Sequence, residues 1–310
     1  MPIQTTSRII MVRPAAFGYN VETAVNNTFQ HVPKSGQEEI KTEALREFDQ
    51  LVSILRQEGV EVEVVQDSVS PVKPDAIFPN NWISFHEDGT LVTYPMYAPL
   101  RRQERREEIV AAIEKKYKVT KRVSLEHFEG EGHFLEGTGS MVLDRVNKIA
   151  YACISQRTDP GILQQWGELM GYTPFSFAAR YDGQDIYHTN VMMAIGDGVS
   201  IVCLDVVEEA RREALYQSLS SAGREVVVLR ADQVGSFAGN MLAVRTKDGQ
   251  QLMVMSRTAH ESLDVQQRKT IERYARIVSS DVNTIETIGG GSVRCMIAEN
   301  FLPTANLIKP

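Results

Sequence analysis

The chain is poor in the features that would set it apart from ordinary globular proteins. It has only three cysteines in 310 residues, and none is spaced C-x-x-C from another. An odd number of unpatterned cysteines argues against a disulfide framework and indicates a reducing compartment. One of the three, Cys153, Cys203 or Cys295, is then available as a working thiol.

Excess positive charge and long apolar segments are also missing. The 33 Lys and Arg residues are outnumbered by 40 Asp and Glu residues, which gives a formal net charge of −7. This balance excludes a nucleic-acid binder held by bulk charge. The apolar run at residues 9–12 is far too short for a membrane span. With 43% apolar and 24% charged residues, we expect a soluble cytoplasmic protein.

The sequence is rich in short β-strand patterns that flank a turn. Four such pairs occur, with turn centres at Asp88, Asn147, Asp197 and Asp248, which are 59, 50 and 51 residues apart. Asp-Gly and similar turns between apolar runs are typical of β-hairpins, because they supply the positive φ angles that tight turns require. Each pair is therefore predicted to form one hairpin.

A helical pattern and a further short strand follow each predicted hairpin. The helices are predicted at residues 100–116, 160–170, 207–222 and 263–277, and the strands at 118–123, 172–177, 225–229 and 282–288. The N-terminal part supplies a strand at 8–12, a helix at 36–58 and a strand at 60–65, and lacks one hairpin arm. Residues 293–297 are predicted to supply that arm.

The near-constant period of these units predicts a repeat architecture. Because the two ends of the chain complete one unit, we expect an α/β fold in which five ββαβ-type repeats close into a five-bladed α/β propeller with pseudo-five-fold symmetry. No Pro-rich or Ser-rich linker divides the chain, so residues 1–310 are predicted to be a single catalytic domain. The alternative is a single mixed sheet of the α+β kind.

Side chains able to do chemistry recur where the predicted hairpins begin. A thiol needs a nearby base to become a nucleophile, and three glycines before Cys295 let the backbone approach a ligand closely. Corresponding positions of a propeller converge on its central axis. The residues at these positions are Asp75, Asn80, Asn81, Glu136, His188 and Cys295. They provide a nucleophile, an acid/base and orienting or substrate-binding groups around one cavity.

The motifs around these residues resemble those of guanidino-group-modifying enzymes. They are Asp-Ala-Ile-Phe-Pro-Asn-Asn at 75–81, Leu-Glu-Gly-Thr-Gly at 135–139, His-Thr-Asn at 188–190 and Gly-Gly-Gly-Ser-Val-Arg-Cys at 289–295. The chain is similar over nearly its whole length to the amidinotransferase and arginine deiminase superfamily, which has the pentein fold. Met-Val-Arg-Pro-Ala at 11–15 and Arg-Cys-Met-Ile-Ala-Glu at 294–299 most resemble its citrulline-utilisation hydrolase branch, which is amidinotransferase-like.

The resemblance implies a role for each matching residue. Cys295 matches the nucleophile, His188 the general acid/base, and Glu136 the carboxylate that holds the nitrogen-rich end of the substrate. Asp75 matches a substrate-contacting aspartate. Arg157 matches an arginine that holds the substrate α-carboxylate in the dimethylarginine branch. Chemistry of this kind needs neither a metal nor an organic cofactor.

Three amides depart from the patterns of the families that the chain resembles. Asn80 and Asn81 stand where dimethylarginine hydrolases have a Glu-Asp pair, and Asn190 stands where arginine deiminases have an aspartate. An amide N–H can satisfy the carbonyl of a neutral ureido group, which a carboxylate would repel. The amides favour citrulline, cleaved to ornithine, carbon dioxide and ammonia through a covalent cysteine adduct. Arg101 or Arg102 is a further substrate-binding candidate, with a solvated helix start as the alternative.

Other functions stay open on the sequence alone. The same residues could deiminate or hydrolyse arginine or a modified arginine, or transfer its amidino group. A metal hydrolase is suggested by His127, Glu129, Glu131 and His133, which alternate along a predicted extended segment. A non-enzymatic propeller that binds a partner is the rival from another class. We expect a small-molecule amino-acid partner and neither nucleic acid nor membrane, with a homo-oligomer left open.

Overall fold

Five three-stranded sheets, a two-stranded hairpin and the helices between them form the described part of the chain. The computed structural model describes residues 3–221 and 223–305. In each three-stranded sheet the middle strand is antiparallel to one neighbour and parallel to the other. The fold is therefore mixed α/β, as predicted.

The five sheets follow the order of the chain, except that the first contains strands from both ends. In spatial order the first sheet consists of Ala298–Glu299, Arg8–Arg13 and Glu61–Gln66. The others are Ile83–Phe85, Thr90–Thr93 and Lys121–Ser124; Val142–Asp144, Ile149–Cys153 and Thr173–Phe177; Met193–Ile195, Val199–Val202 and Glu225–Val228; and Leu242–Arg245, Gln251–Ser256 and Arg276–Ser280. The hairpin pairs Arg180–Tyr181 with Gln184–Asp185.

The four predicted hairpins are confirmed, and their turns have the expected backbone. Gly89 and Gly249 have φ angles of +86°, and Gly198 has a φ angle of +77°. A side chain is strained in this left-handed region, so glycine closes three of the four turns at the lowest cost. In each hairpin the turn is at one end, and the residues that precede the first strand are at the other end.

Helices of very different length lie in the segments that connect the strands. The α-helices are Val21–Ala24, Gln37–Gln57, Pro99–Arg102, Glu107–Glu114, Gly137–Ser140, Pro160–Met170, Glu209–Ser220, Ala231–Gly235, Arg257–Ser262 and Val265–Glu272. The helix Pro160–Met170 begins where Asp159 accepts the N–H groups of Gly161 and Ile162 at 2.8 and 3.0 Å, and it ends at Gly171. The predicted helix at 100–116 is wrong as one element, because the segment forms two helices, and Arg101 of the first pairs with the buried Glu104 between them.

The prediction of a strand at 282–288 is wrong, and so is the extension of the preceding helix to 277. The fifth sheet instead uses Arg276–Ser280, while Ile285–Gly289 forms a single π-helical turn. The buried carboxylate of Glu47 accepts the N–H groups of Thr284 and Ile285 at 2.9 and 3.0 Å. These two bonds cap a helical turn from a distant helix, a contact that the local sequence pattern does not reveal.

The C-terminal arm of the first sheet is confirmed, but it is shifted along the chain. The strand is Ala298–Glu299, and Val293–Met296 forms a single 3₁₀ turn instead of the predicted strand at 293–297. Similar short turns, Pro79–Asn81, Gly137–Ser140 and Thr189–Val191, precede the first strands of the second, third and fourth sheets. Neighbouring turns contact one another, so they bring together residues from distant parts of the sequence.

Buried apolar side chains form clusters between the sheets and the helices. One cluster joins the first and fifth sheets to the helix Gln37–Gln57 and includes Phe78 and Cys295. The thiol therefore lies at the inner edge of a packed core. None of the helices within residues 3–221 and 223–305 is long and apolar enough to cross a membrane.

Candidate active site

The short turns that precede the first strands place the predicted residues around one cavity. Cys295 lies in the turn Val293–Met296, and His188 comes just before the turn Thr189–Val191. Five predicted residues line the cavity: Asp75, Asn81, Arg157, His188 and Cys295. The free volume is only about 10 Å³, roughly the room that one water molecule needs. The structure therefore shows the site in a closed form.

His188 is held by a buried carboxylate. Its Nε2 lies 2.8 Å from Oε2 of Glu136, and Oε1 of Glu136 accepts the backbone N–H of Tyr97 at 2.9 Å. Both side chains are almost completely buried. Two protein groups thus already occupy the two oxygens of Glu136, so in this closed form the carboxylate orients the imidazole.

The charges of the pair follow from its surroundings. Burial lowers the pKa of His188 to about 4, although the hydrogen bond with Glu136 opposes this change. Burial opposes ionisation of Glu136, but the charge of Arg157 and the hydrogen bond with His188 lower the pKa of this carboxyl to about 2. At neutral pH Glu136 is a carboxylate and His188 is neutral. Because a carboxylate only accepts, Nε2 carries the imidazole proton and Nδ1 presents a lone pair.

The Cys295 sulfur is surrounded by amides. Asn240 donates an N–H from Nδ2 to Sγ at 3.2 Å, and Nδ2 of Asn190 lies 3.7 Å from the same sulfur. Asn240 is fixed on both sides, since Nδ2 also donates to the carbonyl of Asn190 and Oδ1 accepts the N–H of Arg294. Burial raises the pKa of the Cys295 thiol, and the amide donors oppose that shift. The amides are therefore oriented to stabilise a thiolate.

Sequence reasoning did not assign a role to Asn240. A signal was available, because Asn240 stands two residues before the first strand of the fifth sheet, as Asn81 does in the second sheet. Cys295 and Asn190 each stand three residues before the corresponding strand. Comparing offsets between repeats would therefore have pointed to Asn240.

An N-terminal segment covers the site and occupies its recognition groups. The Arg157 guanidinium donates to Oδ1 of Asn26 and to the carbonyl of Thr23, each at 2.9 Å. Asp75 accepts from Nδ2 of Asn20 at 2.8 Å and from the Thr23 hydroxyl at 3.3 Å. The sequence did not reveal this cover, residues 20–30. Its polar side chains hold the groups that the resemblance assigns to the substrate.

Arg101, not Arg102, reaches the cavity. The Arg101 guanidinium pairs with both carboxylate oxygens of Glu104 at 2.9 and 3.0 Å and donates to Oδ1 of Asn81 at 2.8 Å. Arg102 lies outside the residues that line the cavity and donates instead to the carbonyls of Met96 and Tyr97. Of the two candidates, Arg101 lines the cavity and Arg102 does not, since the helix Pro99–Arg102 turns its third residue inward.

The predicted amides differ in their surroundings. Among the described residues, both polar atoms of the Asn80 side chain and Nδ2 of Asn81 are buried without a hydrogen-bond partner. Asn81 lines the cavity, whereas Asn80 does not. Gly139 makes this arrangement fit, because a Cβ atom there would lie 2.3 Å from Nδ2 of Asn81 and 2.7 Å from Nδ1 of His188.

The motif that suggested a metal site does not form a ligand cluster. His133 pairs with Asp159 at 2.8 Å, and Glu129 pairs with Arg105 at 2.7 Å. Within residues 3–221 and 223–305, no group of three or more His, Cys, Asp or Glu side chains is arranged to hold a metal ion.

Solved structures with the same fold include hydrolases that act on guanidino compounds. ArgZ in its apo form, an arginine dihydrolase from the ornithine-ammonia cycle in cyanobacteria, matches with a TM-score of 0.75 at 16% identity over 96% of this chain, which spans 41% of that protein. The N-terminal domain of ArgZ bound to product matches with a TM-score of 0.73 at 17% identity, covering 96% of this chain and 99% of the domain. A dimethylarginine dimethylaminohydrolase adduct with S-methyl-L-thiocitrulline gives a TM-score of 0.65 at 16% identity over 94% of this chain and 98% of that one.

At these identities the structural likeness establishes a common fold. No curated protein sequence matches this chain at a significant level. Residues 13–302 match the family described as N,N dimethylarginine dimethylhydrolase, eukaryotic. The chain therefore belongs to that family and, with these structural neighbours, to the pentein superfamily of guanidino-group-modifying enzymes.

Proposed function

We propose that this chain is a cysteine hydrolase that converts citrulline to ornithine, carbon dioxide and ammonia. The observation that carries the proposal is the position of Arg101, whose guanidinium lies 3.9 Å from Asp75 and 3.9 Å from Glu136. A substrate guanidinium placed against these carboxylates would meet a fixed cation of the same charge. A neutral ureido group would not be repelled in this way.

Asn81 gives a second argument for a ureido substrate, which rests on hydrogen bonding and not on charge. Its Oδ1 accepts from Arg101 at 2.8 Å, which fixes the orientation of the amide and leaves Nδ2–H as the free donor. A ureido carbonyl can accept from this donor, whereas a guanidinium has no acceptor to offer it. The buried donor would therefore gain its missing hydrogen bond only with a carbonyl-bearing substrate.

The first half of the reaction forms a covalent adduct. No hydrogen bond joins His188 to Cys295 among the described residues of the closed form, so the transfer follows opening of the cover: neutral His188 then accepts the thiol proton at Nδ1. Asn240 and Asn190 stabilise the thiolate. The thiolate attacks the ureido carbon. His188 then returns its proton to the δ-nitrogen, so that the C–N bond breaks, ornithine leaves and a carbamoyl thioester remains. Acid/base assistance of this kind contributes about 10²- to 10⁴-fold.

The second half regenerates the thiol. His188 removes a proton from water, and the hydroxide attacks the carbamoyl carbon. The C–S bond breaks, the sulfur regains a proton from His188, and the carbamate that leaves decomposes to carbon dioxide and ammonia. Glu136 stabilises the imidazolium in both halves, because it stays ionised. Water is the second reactant, and the protein groups in both halves are side chains of this chain.

Substrate entry requires the cover to move. The free volume of about 10 Å³ cannot hold an amino acid. Opening of residues 20–30 would free Arg157 for the substrate α-carboxylate and Asp75 for its nitrogen-rich groups. Asn20, Thr23 and Asn26 thus occupy in the closed form the places that we assign to polar groups of the substrate.

We also propose that the chain is a single catalytic domain whose five sheets close into a five-bladed α/β propeller. The support is the first sheet, in which the C-terminal strand pairs with the N-terminal one, and the repeated strand pattern of the other four. The short turns that carry the catalytic residues would then surround the axis.

A second candidate is hydrolysis of arginine or a modified arginine. Oδ1 of Asp75 is buried without a partner among the described residues and could accept from a guanidinium. The structural neighbour ArgZ is an arginine dihydrolase by its description, and the matched family is described by dimethylarginine. These points favour a guanidino substrate, so the two candidates have to be compared directly.

The test is to incubate purified protein separately with citrulline, arginine and dimethylarginine and to separate the products by chromatography. We expect ornithine and ammonia from citrulline, with no product in Cys295→Ala. Cys203→Ala is the matched control, because Cys203 is a buried thiol outside the cavity. Turnover of arginine or dimethylarginine without turnover of citrulline would overturn the substrate assignment. Full activity in Cys295→Ala would overturn the mechanism.

A further inference from the structure

A second cavity lies at the opposite end of the hairpins from Cys295. It opens between the turn of the second sheet, at His86, and that of the third sheet, at Arg145, and has a free volume of about 290 Å³. The strand Ile83–Phe85 separates His86 from Asn81 of the catalytic cavity. Five residues of extended chain span roughly 16 Å, so the two cavities are separate.

A directed chain of hydrogen bonds determines the tautomer of His86 at the floor of this cavity. Trp166 donates Nε1–H to the Tyr94 hydroxyl at 3.0 Å, so the Tyr94 proton goes to Oγ of Ser84 at 2.6 Å. Ser84 then donates to Nε2 of His86 at 2.9 Å. The reverse direction would leave the buried Tyr94 proton without an acceptor among the described residues. The His86 proton is therefore on Nδ1.

Nδ1–H of His86 is an unused donor beside two cations. Burial lowers the pKa of His86, and the charges of Arg145 and Lys148 lower it further, so the ring is neutral. Within the described residues no acceptor lies within hydrogen-bond distance of Nδ1. The cavity floor thus presents an N–H donor whose ring is only 4% exposed.

Arg145 adds a buried cation for which residues 3–221 and 223–305 provide no hydrogen-bonded acceptor. It is 5% exposed and its guanidinium lies 3.9 Å above the Phe301 ring. The nearest carboxylate oxygen, Oε2 of Glu299, is 3.7 Å away and already accepts from Arg294 at 2.9 Å. A buried guanidinium with five donors and so few partners is an anion-recognition group.

The mouth of the cavity carries two carboxylates and one ammonium group, and part of its wall is apolar. Glu87 and Asp88 are exposed at the mouth, and so is Lys148, whose ammonium lies over the Tyr172 ring. Ile3 and Met170 complete the wall. Two carboxylates at the mouth would repel a phosphate dianion, but they suit an ammonium group.

We propose that this cavity is a second small-molecule site that binds a free apolar amino acid. Its carboxylate would lie on Arg145 and Nδ1–H of His86, its ammonium would face Glu87 and Asp88, and its side chain would pack on Phe301. The separation of donors at the floor from carboxylates at the rim matches the two charges of a zwitterion. The site is independent of the catalytic residues, so neither proposal depends on the other.

The test is isothermal titration of the intact protein with L-leucine, its deaminated analogue isocaproate and its decarboxylated analogue isoamylamine. We expect leucine to bind, isocaproate to bind more weakly and isoamylamine not to bind. Arg145→Gln should weaken leucine binding at least about tenfold, and Arg46→Gln, which removes a cation from an exposed helix, should not change it. Lys148→Gln, at the exposed rim, should weaken leucine binding by about threefold. It is the replacement test variant if Arg145→Gln does not fold.

Three results would overturn the proposal. One is the absence of leucine binding at millimolar concentration. Another is binding that survives in Arg145→Gln and Lys148→Gln but is lost in Arg157→Gln, which would place leucine in the catalytic cavity. The third is tighter binding of inorganic phosphate than of leucine. NMR spectra of the histidine rings give a separate check, because they should show His86 neutral with its proton on Nδ1.

Discussion

His188 and Glu136, 52 residues apart in sequence, meet at 2.8 Å between Nε2 and Oε2 with both side chains buried. Burial keeps the histidine neutral at rest, and the neighbouring carboxylate stabilises the cation that forms when it takes a proton. The carboxylate stays ionised beside it, so the pair can move a proton in either direction without a change in its geometry.

Replacement of Glu136 by glutamine tests whether this carboxylate orients His188 or binds substrate. Glu136→Gln keeps the shape and removes the charge, so the imidazolium loses its stabilisation. We expect kcat to fall about 10²-fold with KM nearly unchanged, because His188 and Tyr97 already occupy both Glu136 oxygens. Steady-state kinetics on citrulline give both constants. A large rise in KM at constant kcat would restore the role implied by the sequence resemblance, in which Glu136 holds the substrate.

The pH dependence of kcat/KM should show an acid limb near the His188 pKa of about 4. Below that pH the imidazole is protonated and cannot accept the thiol proton, so the rate falls as the pH decreases. Because the hydrogen bond with Glu136 raises the His188 pKa, Glu136→Gln should move the limb to lower pH. His127→Gln, at an exposed histidine, is the control. A limb that moves upward in Glu136→Gln would contradict the assignment, and circular dichroism at each pH shows whether the protein is still folded.

Loss of the Asn240 amide should weaken the nucleophile. Asn240→Ala removes the N–H donor 3.2 Å from Sγ, and that donor lowers the thiol pKa. We expect the apparent pKa of Cys295 to rise and kcat to fall about tenfold. The measurement is the rate of alkylation by iodoacetamide as a function of pH, read by mass spectrometry at Cys295. Asn283→Ala, at an exposed amide, should leave the alkylation profile as it is. An unchanged profile in Asn240→Ala would remove Asn240 from the site.

Removal of the Arg101 charge should change substrate preference. Glu104 would be left without its hydrogen-bonded partner, so the variant to make is the double one, Arg101→Gln with Glu104→Gln, which neutralises both members of that pair. Without the cation beside Asp75 and Glu136, a guanidinium is no longer repelled. We expect the ratio of kcat/KM for arginine to that for citrulline to rise at least about tenfold. Glu104→Gln alone is the matched control, and an unchanged ratio in the double variant would refute the charge argument.

Local sequence accounts well for the elements whose stability depends on neighbouring residues. The hairpins at Gly89 and Gly249 were predictable because turn geometry requires a residue with positive φ at one place. The helix Pro160–Met170 was predictable because Asp159 and Gly171 mark its ends. The strand predicted at 282–288 was wrong. The apolar pattern of this segment suits a strand, but the contact that makes it helical comes from Glu47, which is distant in sequence.

The candidate site likewise contains residues that the sequence identified and others that only the structure revealed. Motif and repeat position identified Cys295, His188 and Asp75, because each occurs at a hairpin mouth. The choice between Arg101 and Arg102 could not be made, since adjacent residues of a one-turn helix differ only in the direction that packing gives them. The cover at residues 20–30 was also invisible, because its asparagines resemble those of any polar loop.

The sequence by itself determined which chemical groups this protein has and in what order they recur. Turn chemistry and side-chain periodicity act over a few residues, so they can be read directly from the chain. Only the tertiary structure decided which groups meet. Glu136 orients His188, Asn240 contacts Cys295 across 55 residues, and Arg101 lies beside two carboxylates. These contacts are made between sheets, where packing and burial select partners that no local pattern specifies.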